Sequence, residues 1–178
     1  MRKKVWLSVA AIVLVLCCAI GGTLAWLSAK TDPVTNTFTV GDINIDLTET
    51  TGGTYKMVPG NTLVKDPKVT VKADSEDCWL FIKVEKSENF DAFMTYAIAD
   101  GWTALSGFDG VYYREVLATN DDTDFTVLRG NQVIVKEDVT KQQLQEVKAD
   151  HPTMTFTAYA VQQDKIADAA TAWAKVAP

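Results

Sequence analysis

The sequence predicts an all-β fold: a jelly-roll-like antiparallel β-sandwich with one or two short helices, preceded by an N-terminal signal helix. Three observations carry this reading. Apolar residues alternate with Thr, Lys and Asn over several short stretches, the period of a half-buried strand. Glycine and proline punctuate those stretches at Gly52-Gly53, Pro59-Gly60-Asn61 and Gly130-Asn131. Helical periodicity is confined to the first apolar segment and to two short runs near the far end.

The chain begins with a basic head, Arg2, Lys3 and Lys4, followed by an apolar run from Val5 to Ile20 broken only by Ser8. That is the layout of a secretory signal peptide. Gly21-Gly22-Thr23 interrupts the helix, and Thr23 and Ala25 supply the small side chains a signal peptidase needs. Cleavage is expected between Ala25 and Trp26, with Ala29 and Lys30 as the alternative site. A retained anchor is the other reading, since the run is long enough to span about 30 Å. Residues 1–25 are thus a signal segment and 26–178 a secreted β-domain, in which 26–37 is a flexible leader or donor strand.

Removal of the signal takes away three basic residues and no acidic ones. Fourteen Lys and Arg then face 23 Asp and Glu, and the net charge moves from −6 to −9. Nucleic acid and anionic lipid are disfavoured as partners, because both need clustered cations. The membrane is met only through the signal segment. Cys17 and Cys18 leave with the signal, so Cys78 stands alone; a small buried apolar role suits it better than an intermolecular disulfide. Val15-Leu16 before the first cysteine does not make a lipobox.

Phe38 and Val40 alternate with threonines, and Ile43, Ile45 and Leu47 alternate with Asn44 and Asp46. The phase shift across Gly41-Asp42 reads as a bulge or bend. Val69 and Val71 among Lys68, Thr70 and Lys72 predict a strand with one wet face. Trp79-Leu80-Phe81-Ile82 is apolar on both faces and predicts a central, doubly covered strand. DFTVLRGNQVIVKE predicts a hairpin with a two-residue type II′ turn at Gly130-Asn131, pairing Leu128 with Val133 and Val127 with Ile134. Thr140 and Gln143 form a capping box, with Val139 and Leu144 as a staple, starting a short surface helix that ends at Asp150-His151-Pro152. Met154, Phe156 and Ala158 alternate with threonines in a last strand. From Asp164 as N-cap, Ile166, Ala169, Ala170, Trp173 and Val176 recur at helical spacing, predicting a C-terminal helix over 164–176 that packs Trp173 on the sandwich. No LPxTG-type signal or apolar tail follows, so sortase attachment is not expected.

GGTLAW followed by NTFTVGDINIDLTE resembles the SipW-dependent signal and first strand of the TasA/camelysin family. Val58-Pro59-Gly60-Asn61 leading into DPKVTVKADSEDCWLFIKVE is similar to that family's turn and following strand pair. TMTFTAYAVQQDKIADAATAWAKV is similar to the closing strand and tail of clostridial members. The resemblance implies a jelly-roll subunit that polymerises into biofilm matrix fibres, each N-terminal strand completing the next subunit's sheet. It implies a signal peptidase of the SipW type, and as partners other copies of the chain and further matrix proteins. The assembly strand would then use Trp26, Leu27, Val34, Phe38 and Val40.

Camelysin-like members have been described as metallopeptidases, yet His151 is the sole histidine and HExxH zinc binding needs two on one helix face. No serine sits in a G-x-S-x-G elbow. Asn120, Asp122 and Asp124 resemble half a calcium loop, but Phe125 and Asn131 stand where glycine and glutamate are required. Tyr112, Tyr113 and the tryptophans suit core positions better than glycan stacking. No cofactor, metal or catalytic residue is expected. The leading reading is a secreted, non-enzymatic matrix or cell-surface protein of a bacterium that forms fibres by N-terminal strand exchange. A camelysin-like surface metallopeptidase and a monomeric adhesin-like binding module are the alternatives.

Overall fold

The computed structural model describes residues 42–50, 54–147 and 151–177. The signal segment, the leader with Trp26, Leu27, Val34, Phe38 and Val40, the bend at Gly41 and the Gly52-Gly53 turn lie outside them. Within them the chain runs β1 (Ile45–Thr48), β2 (Thr62–Val64), β3 (Lys68–Val71), β4 (Cys78–Lys86), α1 (Phe90–Phe93), β5 (Met94–Thr95) and β6 (Thr103–Ala104). It continues through β7 (Val111–Val116), β8 (Thr123–Thr126), β9 (Gln132–Val135), α2 (Lys141–Glu146), β10 (Met154–Gln162) and α3 (Ala169–Val176). All strand pairs are antiparallel, in sheets ordered β1-β3-β8, β10-β4-β7-β6 and β2-β9-β5. The expected all-β sandwich is the fold.

β4 organises it. Its first five residues are buried, and it pairs with β10 along nine positions and with β7 along six. Successive side chains leave opposite faces of a strand, so Leu80 and Ile82 enter one core and Trp79 and Phe81 another. The larger core gathers Val69, Val71, Val127, Leu128, Val133, Val135, Phe90 and Trp102 between the sheets. The smaller lies under α3, where Trp173 meets Phe81 at 5.3 Å and Tyr159 at 5.2 Å between ring centroids. Trp173 therefore packs on the sandwich as its helical spacing predicted.

Arg114 closes one margin of the larger core. It lies opposite Leu80 in the β4–β7 register, and its guanidinium stacks 3.9 Å from the Phe125 ring centroid and 5.4 Å from that of Trp102. Its Nε is buried without a hydrogen-bond partner among the described residues, and burial lowers its pKa. Stacking on two aromatic faces offsets part of that desolvation.

Several local readings hold. Asn61 N donates to Val58 O at 2.9 Å around Pro59-Gly60, where Gly60 takes the positive φ of 76° that a type II turn requires. Thr140 caps α2 with the reciprocal Gln143 bonds of a capping box, and Val139 and Leu144 both join the larger core.

Four readings are corrected. The Gly130-Asn131 hairpin does not form: β8 pairs with β3, and β9 pairs with β2 and β5, in a different sheet. Arg129–Asn131 is instead a 3-10 corner, with Gly130 at φ 68° and Asn131 at φ 52°, through which the chain changes sheets. Val127 and Leu128 are both fully buried at this corner, bonded to Pro67 and bridged to Ile98. The C-terminal helix starts at Ala169 because Lys165 adopts φ 61° and Asp168 is the N-cap, accepting from Thr171 N at 2.8 Å. Ala172, not Ala170, faces the sheet. The face of β3 expected to be wet is only partly so, since Thr70 is buried and donates to Asp124 at 2.6 Å. The helix α1 was not foreseen; it is a single turn after Asn89 whose Phe90 and Phe93 enter the larger core.

Candidate functional site

Edge strands decide where a β-sandwich can take a partner, because their outer main-chain groups have no ladder. Among the described residues, β2, β5 and β6 are edges of only three, two and two residues. β1 and β8 have four residues each and carry Asp46 and Asp124. β10 is different in kind. It runs for nine residues, MTFTAYAVQ, without a charge or a proline, and pairs among the described residues with β4 alone.

Its outward groups can be assigned. Gln163 N donates to Asp77 O at 2.8 Å, and Ser87 N donates to Thr153 O at 3.0 Å. Odd-numbered residues along β10 therefore turn their N–H and C=O toward β4, and Met154, Phe156, Ala158, Ala160 and Gln162 turn theirs outward.

β1 of the neighbouring sheet approaches β10. A cavity of about 310 Å³ is lined by Leu47 and Thr48 of β1 and the following Glu49, and by Met154, Thr155 and Phe156 of β10, with Lys65 and Pro67. A second cavity of about 200 Å³ shares Lys65 and Met154 and reaches Tyr55, Leu63, Phe90 and Met94. Lys65 stands at their junction. Its Nζ lies 2.6 Å from Glu49 Oε1 and 2.7 Å from Oε2, the two side chains being only 16% and 23% exposed. The ammonium also sits 5.7 Å from the Tyr55 ring centroid and 5.8 Å from that of Phe156. Glu49 Oε1 is shielded from solvent and met only by this ionic contact. Next door, Asp66 accepts from both the N–H and the hydroxyl of Thr50, fixing the chain that carries Glu49.

Other candidates have structural partners. Asp122 accepts from Ala73 N at 2.8 Å and meets Lys72 at 3.4 Å; the backbone N–H first, then the lysine, lowers its pKa. Asp124 is lowered first by Lys68, at 2.7 Å, and then by Thr70. Both carboxylates are thus committed to groups of β3 and of the two residues that follow it rather than converging on one point. Among the described residues no group of three or more His, Cys, Asp or Glu could hold a metal ion. His151 is an exposed loop residue. Cys78 is fully buried, and burial, with Asp77 adding to it, pushes its thiol up to about 11, a poor state for disulfide exchange. Trp79, Trp102 and Trp173 are buried and Tyr112 and Tyr113 half-buried, as core residues.

The sequence-predicted cleavage and assembly residues lie outside the described chain. Lys65, Glu49 and Tyr55 were missed by sequence reasoning, and no motif marks them: the pair is sixteen residues apart and only the fold brings it together. No protein-family model, curated protein or solved structure matches the chain.

Proposed function

We propose that this is a secreted, non-enzymatic structural protein of a bacterial extracellular matrix, which polymerises when the leader of one copy adds as a strand to the next. The acceptor is the slot between β1 and β10. The observation that supports this reading is β10 itself: a nine-residue uncharged edge beside a cavity of about 310 Å³. Such an edge offers main-chain bonds, and the cavity takes alternate side chains, which is how a peptide strand is recognised. The leader supplies the complement, with Val34, Phe38 and Val40 in one phase of an extended segment. Each large apolar anchor contributes about 1.5–3 kcal/mol before entropy losses, so several are needed to hold a subunit.

The test is deletion of residues 26–36 from the mature protein, followed by sizing and electron microscopy. The expected product is a folded monomer that forms no fibres and whose melting temperature rises when the deleted segment is returned as a peptide. Truncated protein that still polymerises would refute strand donation. A truncation that unfolds would place the leader in its own domain's core.

A further inference from the structure

Arg114 is out of keeping with the other shielded cations of the fold. Lys65, Lys83 and Lys86 each meet a carboxylate, at 2.6, 2.8 and 2.7 Å. Among the described residues the Arg114 guanidinium has no ion pair and no hydrogen bond, and it meets only the rings of Phe125 and Trp102. A charge drawn out of water without a counter-charge is costly.

Carboxylates are close by in the chain, but each is committed elsewhere. Asp100, beside Gly101, meets Arg129 at 2.6 Å. Glu115 leaves the opposite face of β7 and accepts from Gln163 at 3.2 Å. Asp124, beside Phe125, meets Lys68 at 2.7 Å and accepts from Thr70 at 2.6 Å. None of the three is left for Arg114.

The surroundings instead hold the guanidinium in one plane with one end open. Phe125 and Trp102 stand 3.9 and 5.4 Å away, and Trp102 is itself fixed by its Nε1, which donates to Thr126 O at 2.9 Å. Gly101, at φ 87°, permits a close approach: a Cβ there would stand 3.0 Å from Nη2 and 3.4 Å from Cζ. Nε is shielded from solvent although the residue as a whole is half-buried, so Nη1 and Nη2 form the open end. Two N–H donors fixed in a plane match the two oxygens of a carboxylate, a fit that an ammonium cannot reproduce.

We propose that Arg114 is a carboxylate-binding site, which takes the anion end-on through Nη1 and Nη2. The carboxylate comes from a free acid or from an acidic side chain of a second copy. The site lies at the margin of β6, β7 and β8, away from β1 and β10 in the order of both sheets, and does not depend on strand exchange.

Nuclear magnetic resonance of the purified full chain, labelled with nitrogen-15, tests this. The shielded Nε–H should give a resolved signal, assigned by its proximity to the Phe125 ring. Sodium acetate, exchanged for chloride at constant ionic strength, should move that signal to a saturating limit, which identifies a free acid as sufficient. Where a second copy supplies the group, the signal should move as protein concentration is raised without acetate, and Arg114→Lys should weaken self-association several-fold in sedimentation. Arg114→Lys keeps the charge but loses the planar fork, so the saturable rise in melting temperature that acetate gives the wild type should be lost. A signal indifferent to both acetate and protein concentration, or one that follows ionic strength alone, overturns the site. The titration uses the wild-type protein and stays decisive should Arg114→Lys misfold.

Discussion

β4 and β10 lie side by side in one sheet, have nine residues each and pair along their whole length. Their environments differ sharply. β4 has a strand on either side and a core on either face, and its first five residues are all buried. β10 is half-exposed over most of its length and is bonded, among the described residues, on one side only. β4 is paired on both sides over its first six residues, whereas β10, among the described residues, is paired on one side along its whole length. The lesson is that equal length and shared register do not make equal roles. Position in the sheet does, and the composition follows it: Cys-Trp-Leu-Phe-Ile against Met-Thr-Phe-Thr-Ala.

Proline separates the two strands most severely. It removes a backbone donor, which a central strand cannot lose. Ile82→Pro should cost more than about 3 kcal/mol and prevent folding, read as loss of a cooperative thermal transition. At Ala158 the donor points outward, so Ala158→Pro should keep the β4 ladder and fold with a lower melting temperature, yet form no fibres in electron micrographs. Normal fibre growth from the folded Ala158→Pro protein would remove β10 as the acceptor.

The two faces of the same sheet give the next contrast. Trp173 is 3% exposed against Phe81 and Tyr159, and α3 reaches the sheet chiefly through it, Ala169 and Ala172. Trp173→Ala should cost about 3–5 kcal/mol and lower Tm on the order of 10 °C. The slot beside β1 lies on other residues, so the surviving folded fraction should still assemble. Assembly lost in proportion to nothing but Trp173 would mean that the helix-covered face, and not the edge, carries the contact.

These contrasts also mark how far the chain could be read without coordinates. The β4 run was legible because burial on both faces leaves no polar residue in Trp79 to Ile82. The α2 start was legible because a capping box is local chemistry between Thr140 and Gln143. The α3 start was not: Asp164 and Asp168 are both good caps, and only the left-handed turn at Lys165 selects the second. The corner at Arg129–Asn131 carries the residues of a tight hairpin, but β8 and β9 each find better partners in separate sheets, which is a tertiary decision. No motif links Lys65 and Glu49, sixteen residues apart; only the fold makes them a partly shielded pair.

The smallest expected effect concerns the outer face of the β1-β3-β8 sheet, where lysines and carboxylates alternate across strands. Lys72 meets Asp46 at 2.9 Å and Asp122 at 3.4 Å, and Lys68 meets Asp124 at 2.7 Å. Asp122 and Asp124 are held below the ordinary value of 3.8, while Lys72, chiefly through Asp46, is raised above 10.5. The signs oppose one another. A carboxylate lowered by folding contributes stability that is present above 3.8 and is lost as pH falls through its folded value. A lysine raised by folding contributes stability that is present below 10.5 and is lost as pH rises through its folded value. Thermal melts should therefore show a plateau between these limits with a shallow decline at each end. The groups are exposed, so added salt should flatten both declines. Asp124→Asn should reduce the acid decline and leave the alkaline one, since Lys72 keeps Asp46 and Asp122. The same substitution should leave the slot and its Lys65–Glu49 pair untouched, and fibre yield at neutral pH with it. An Asp124→Asn protein with an unchanged acid limb would show that this ladder is solvated charge without a share in stability.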